Sequence, residues 1–252
     1  MKTIPRYILY GIKRVETVTI PRTVTKIGEY AFSGCTRLTT IKYLGTKSEW
    51  DKIDISTYGN DALFDAKLIL MISNRITAKD DIIRSYSTKA QTFRLGATAK
   101  GGKLTYKSSK TAVKVSSDGR VTISPKFTGT AKITITAGGG NYTTVTKDMK
   151  ITVPGRTNLA SVRNTAAGKM LIEWKKNAYV TGYIIQYGLK SDFSDAKTLS
   201  VPKNTTVSRS VTGLGKNKKY YVRIRSFRTE KTDKKKKNYS AWSASKEVTI
   251  KK

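Results

Sequence analysis

The 252-residue sequence has no histidine and one cysteine, Cys35. Without imidazole there is no Ser-His-Asp or Cys-His nucleophile pair and no HExxH zinc site. Nor is there any side chain whose ordinary pKa lies near neutrality. A lone thiol excludes an intrachain disulfide and a cysteine metal cluster, so packing must hold the fold together. Acidic residues are also scarce, 17 against 49 Lys+Arg, and those present are too scattered to suggest the carboxylate pair of a glycosidase. No enzymatic activity, catalytic residue, metal or cofactor is therefore expected. Long apolar runs are missing too. The first eighteen residues are basic but contain neither an apolar core of seven residues nor a small-residue cleavage site, so they do not read as a signal peptide. No stretch is long enough for a transmembrane helix.

What remains is a foldable, strongly basic chain. Hydrophobic residues make up 38% of it and the net charge is +32. The length suits two or three domains of about 100 residues. Charge of this size favours anionic partners such as acidic glycans, wall polymers, nucleic acid or anionic membranes, and says nothing about fold.

Residues 1–74 carry a repeat. Offsetting the chain by 23 places Val15 over Leu38, Val18 over Ile41 and Ile20 over Tyr43, a period in the range of leucine-rich repeats. Each unit would pair a short strand with a turn or helical segment and would leave an apolar face for its neighbour to cover. TIPR occurs at Thr3 and again at Thr19, which suggests a first unit shorter than the second. Thr19-Ile20-Pro21, Val24, Ile27-Gly28, Ala31-Phe32, Gly34-Cys35, Leu38 and Ile41 resemble the BspA type of leucine-rich repeat. Gly45, Trp50, Ile53, Ile55, Gly59-Asn60, Leu63 and Ala66 resemble the segment that closes such arrays. Here Phe32, Cys35 and Trp50 are expected in the core. The expectation is an array truncated at its N-terminus, which would also have removed a signal peptide.

Residues 75–154 alternate with period two at Phe93/Leu95/Ala97/Ala99, Val113/Val115, Val121/Ile123, Ala131/Ile133/Ile135 and Met149/Ile151/Val153, as half-buried strands do. Asp118-Gly119 signals a two-residue hairpin turn. Six or so short strands predict a sandwich. Ala112-Val113-Lys114-Val115, Gly119-Arg120-Val121 and Gly129-Thr130-Ala131-Lys132-Ile133-Thr134-Ile135 resemble the group 2 family of bacterial immunoglobulin-like domains, which implies adhesion or presentation rather than chemistry. The Gly138-Gly139-Gly140 run reads as a flexible loop, because no GK[ST] follows it.

Pro154-Gly155 marks the next boundary. In residues 155–252, Met170/Ile172/Trp174, Tyr183/Ile185/Tyr187 and Tyr220/Val222/Ile224 alternate inward, which assigns Tyr221, Arg223 and Arg225 to solvent. Leu214 followed by Tyr220 suggests a tyrosine corner. These residues, with Gly182 to Tyr187 and Tyr239-Ser240-Ala241-Trp242-Ser243, resemble a fibronectin type III domain. Trp174, Leu214 and Tyr220 are then core residues. No RGD tripeptide is present. The fold class expected is thus mainly β, a short leucine-rich-repeat segment followed by two immunoglobulin-like β-sandwiches.

Basicity rises along the chain: 11 basic against 7 acidic residues in 1–74, 15 against 4 in 75–154 and 23 against 6 in 155–252. It is densest at Lys234, Lys235, Lys236 and Lys237, which the type III resemblance places in the loop joining the last two strands. With Arg223, Arg225 and Arg228 this loop is the candidate polyanion contact, set against a simpler reading as a solvated loop. No zinc finger, RNP motif or basic helix is visible, so nucleic acid is expected to bind only nonspecifically. The expectation is a non-catalytic, modular bacterial surface or secreted protein for adhesion, with anionic glycan, wall polymer or host matrix protein as partner. The alternatives are the accessory tail of a longer exported enzyme and a nonspecific nucleic-acid-binding protein.

Overall fold

The computed structural model describes residues 2–251 and is mainly β. The chain divides into two compact units. Of the described residues, the first contains 2–77, 97–105 and 135–147, and the second contains 78–96, 106–134 and 148–251.

In the first unit, short parallel strands form two three-stranded sheets. Thr17–Ile20, Thr40–Tyr43 and Lys67–Leu70 make one, and Thr3–Ile4, Lys26–Ile27 and Asp54–Ile55 the other. Val18 lies beside Ile41 and Ile20 beside Tyr43, the register that the 23-residue offset predicts. The two TIPR segments are not equivalent, however. Thr3–Ile4 pairs with Lys26–Ile27, also at an offset of 23, so Thr3 corresponds to Lys26 and not to Thr19. The same tetrapeptide thus enters strands of different sheets, and the shorter first unit inferred from it is not observed. Ile20, Val24, Ile27, Phe32, Cys35, Ile41 and Tyr43 are all but inaccessible and form one core.

Asn60 ties this core to its turns. Its Oδ1 accepts the Phe32 N–H at 3.0 Å, and its Nδ2 donates to the carbonyls of Gly28 and Ser56 at 3.0 and 2.8 Å. A buried amide with all three partners is cheap to bury and fixes three turns at once. Next to it, Gly59 adopts φ +66° where a Cβ would meet the Tyr30 ring at 2.2 Å, so only glycine fits. The Tyr30 ring stacks on Tyr7, one period earlier, with centroids 5.3 Å apart and planes 7° from parallel. A capping box at Thr46 and Glu49 starts the short Lys47–Trp50 helix.

The second unit contains two sandwiches. In the first, Gln91–Arg94, Arg120–Ile123 and Val113–Val115 form an antiparallel sheet. Facing it are 106–108, 129–134, 148–153 and the edge strand Asp81–Ile83, which runs parallel to 150–152. Leu95, Val113, Val121, Ile123, Ile133 and Ile151 are buried. The Asp118-Gly119 turn is longer than the dipeptide suggests. Ser116 N–H donates to Arg120 O, leaving a three-residue loop that closes on Gly119 at φ +75°. In the second sandwich Leu159–Ala166, Lys169–Trp174 and Ser208–Val211 face Lys197–Val201, Gly182–Gly188 and Lys219–Thr229. The last of these pairs with both Lys237–Tyr239 and Lys246–Thr249. Alternate residues meet in one core containing Met170, Ile172, Trp174, Tyr183, Ile185, Val222 and Ile224. Extended backbone joins the sandwiches: Tyr86 N–H donates to Tyr239 O at 2.7 Å, and Tyr239 N–H to Ser85 Oγ at 3.0 Å.

Candidate functional site

The candidate basic site is the tip of the hairpin formed by Lys219–Thr229 and Lys237–Tyr239. Phe227 pairs with Tyr239 and Thr229 with Lys237, so the strands stay in register up to the loop. The loop closes through Glu230 N–H to Lys236 O, while Asp233 Oδ1 accepts the Lys235 and Lys236 N–H groups at 2.9 and 3.3 Å. Asp233 is spent on this backbone turn, which leaves four lysines on a fixed frame.

Their surroundings differ. Lys234 and Lys235 are exposed. Lys236 Nζ lies 2.9 Å from Glu230 Oε1, and Lys237 Nζ sits 4.6 Å from the Phe227 ring centroid. The Lys236 hydrogen bond, then that from Asn238, and the charges of Lys236 and Arg84 hold the Glu230 carboxyl below the ordinary carboxylate range. Arg228 is half-buried at the base of the loop, with Nη1 3.5 Å from Tyr179 O.

Arg223 and Arg225 lie elsewhere and are not turned out to solvent as period-two alternation implies. They stack in a ladder of rings. The Arg223 guanidinium lies 4.0 Å from the Phe193 centroid and 4.5 Å from that of Trp242, and Arg225 lies 4.0 Å from Tyr239 and 4.4 Å from Trp242. Gln186 Oε1 accepts from Arg223 Nε and Nη2 at 2.9 and 2.7 Å. Ser240 and Ser243 lock the rings in place, their hydroxyls accepting the N–H groups of Ser226 and Ile224. Burial lowers the pKa of both arginines, and Arg225 Nε has no hydrogen-bond partner among the described residues. An arginine sandwiched between rings is satisfied by their π-faces and is poorly placed to meet a polymer.

The residues that join the loop come instead from the other sandwich of the same unit. A cleft of about 460 Å³ runs between Ala78–Arg84 with Phe93 and Arg94 on one side and Arg228–Thr232 with Lys236 on the other. Arg228 also lines a neighbouring, more open cleft with Lys231, Lys234 and Lys237. Lys79, Arg84 and Arg94 bring three cations that carry no local sequence signal.

Of the residues expected in cores, Phe32, Cys35, Trp174 and Leu214 are buried. Trp50 is half-buried and packs edge-on against Tyr43 at 5.2 Å. Tyr220 is half-buried, and its Oη accepts the Gly215 N–H at 2.9 Å, the contact that its spacing from Leu214 predicts. Asn60 belongs to the closing segment recognised in the sequence, but its role as a buried hub has no local signal, because a lone Asn in a turn does not announce its partners. Among the described residues no His/Cys/Asp/Glu cluster could hold a metal, and no helix is long and apolar enough to cross a membrane.

Comparison with curated proteins gives no match. Among solved structures the chain is similar to the FN1–FN3 domains of chicken CNTN1, at 15% identity over 72% of this chain and 68% of that one, with a TM-score of 0.36. Titin domains A168–A170 give 13% identity, 74% and 69% coverage and a TM-score of 0.36. An fn3 domain of human contactin 1 gives 17%, 38% and 76%, with 0.32. A family model, the BspA type leucine rich repeat region (6 copies), matches residues 2–66. Residues 2–66 thus match the BspA type of leucine-rich repeat, and β-sandwiches follow them.

Proposed function

We propose that the chain is a non-catalytic, modular bacterial surface or secreted protein whose basic hairpin tip binds a polyanionic glycan or wall polymer. In this reading residues 1–74 are the repeat segment, 75–154 a bacterial immunoglobulin-like module and 155–252 a fibronectin type III module. The repeat match supports a surface setting, and adhesive modules of these kinds are ordinarily not enzymes. The observation that carries the polyanion reading is the hairpin tip itself. Lys231, Lys234 and Lys235 are exposed there, and no carboxylate lies at ion-pair distance from them among the described residues. Flexible lysines on a fixed turn contact a charged polymer without demanding a sequence, and the contact weakens with salt because exposed charges are screened within about 10 Å at 0.1 M.

Replacing Lys234 to Lys237 by Gln is expected to weaken binding to heparin and teichoic-acid-type polymers about tenfold at low ionic strength and to flatten its salt dependence. An array in which the unaltered protein bound no anionic polymer would overturn the proposal.

A further inference from the structure

Two half-buried arginines of the second unit, Arg84 and Arg228, lie on opposite walls of the 460 Å³ cleft. Neither has a carboxylate at ion-pair distance among the described residues. Arg84 is held with its guanidinium 4.3 Å from the Phe93 centroid, and Arg228 reaches only a carbonyl at 3.5 Å. A partly desolvated guanidinium keeps its charge and presents a planar fork of donors, so an unfilled fork inside a cleft favours an oxyanion. The acidic groups present are already engaged: Asp81 Oδ1 accepts the Lys150 N–H at 3.0 Å, Glu230 is taken by Lys236 and Asn238, and Asp80 has interactions of its own. Six basic and three acidic residues line the cleft, and the half-buried Ile82 gives it an apolar spot.

We infer that this cleft seats one anionic sugar or polyol unit, bearing sulfate, phosphate or carboxylate, of the polymer that the hairpin tip engages. The inference rests on the polyanion reading of that tip and adds a defined subsite to it. The volume lies in the range of about 300–1,000 Å³ typical of small-ligand sites, too small for a folded partner or a nucleic-acid duplex. Cations on facing walls suit a compact anion, and Ile82 suits the C–H groups of a sugar or polyol. Arg84 and Arg228 form the subsite, while Lys234 and Lys235 outside it hold the rest of the chain.

The test is calorimetric titration of the full chain with a sulfated heparin tetrasaccharide, a glycerol-phosphate tetramer, neutral chitotetraose, tetraglutamate and long heparin. R84Q/R228Q is expected to lose about tenfold in affinity for an anionic tetramer, and K234Q/K235Q less than about twofold, while long heparin is weakened by both. The two anionic tetramers distinguish a sulfated glycan from a phosphate polymer. Because Arg84 packs on Phe93, R228Q alone, checked by its melting temperature, is the second variant, and it should show the same selective loss. If long heparin binds but no tetramer does, or if both double variants lose tetramer equally, the cleft inference fails while the polyanion reading stands. Equal binding of chitotetraose, or tighter binding of tetraglutamate, would also overturn it.

Discussion

Among the described residues of the repeat segment no strand is longer than four residues, and each pairs in parallel with one 23 to 28 positions away. In the last sandwich Lys219–Thr229 runs for eleven residues and pairs antiparallel with three neighbours. The repeats leave many turns whose backbone groups need partners inside the core, and Asn60 supplies them. The sandwich satisfies its backbone by pairing and fills its core with alternate side chains, so its vulnerable points are large apolar residues. One region fails by losing a polar hub, the other by losing volume.

Trp174→Ala should show this most strongly. It removes a buried indole that packs edge-on against Tyr183 at 5.4 Å, a change that costs about 3–5 kcal/mol. In hydrogen exchange, Lys169–Trp174 and Gly182–Gly188 should lose protection while Thr17–Ile20 and Thr40–Tyr43 keep theirs. Equal loss in both regions would break the comparison. Because Trp174 Nε1 makes no hydrogen bond among the described residues, Trp174→Phe should be much milder.

Asn60→Ala comes next. It strands the Phe32 N–H and leaves the Gly28 and Ser56 carbonyls each without the Asn60 bond, a loss of about 2–3 kcal/mol. The exchange pattern should invert, with the repeat strands opening and the sandwich strands staying closed. Tyr220→Phe is the smallest change. Only the bond from Gly215 N–H is lost, so denaturant melts should shift by about 1 kcal/mol without altering exchange in the repeat.

These differences also set what the sequence could reveal. Val18 over Ile41 and the alternation from Met170 to Trp174 are local periodicities, and both read correctly because a strand faces the core at fixed intervals. The fate of Arg223 and Arg225 is not local. Alternation places them opposite the core, but whether that face meets water depends on Phe193, Tyr239 and Trp242, which arrive from other segments. The cleft is less legible still, since Arg84 reaches the hairpin only through the pairing of Ser85 and Tyr86 with Tyr239. TIPR misled for the opposite reason. Four residues fix a local turn but not which sheet the following strand joins.

Cys35 gives the repeat segment a property beyond stability. Its thiol is 1% exposed, Sγ lies 3.2 Å from Leu9 O, and burial pushes its pKa up. A thiolate-selective reagent therefore finds nothing to attack until the Leu9 segment lifts away. As the chain has no other sulfhydryl, the speed of alkylation under native conditions becomes a single-site clock for the opening of the first repeat turn, readable by mass without any introduced label.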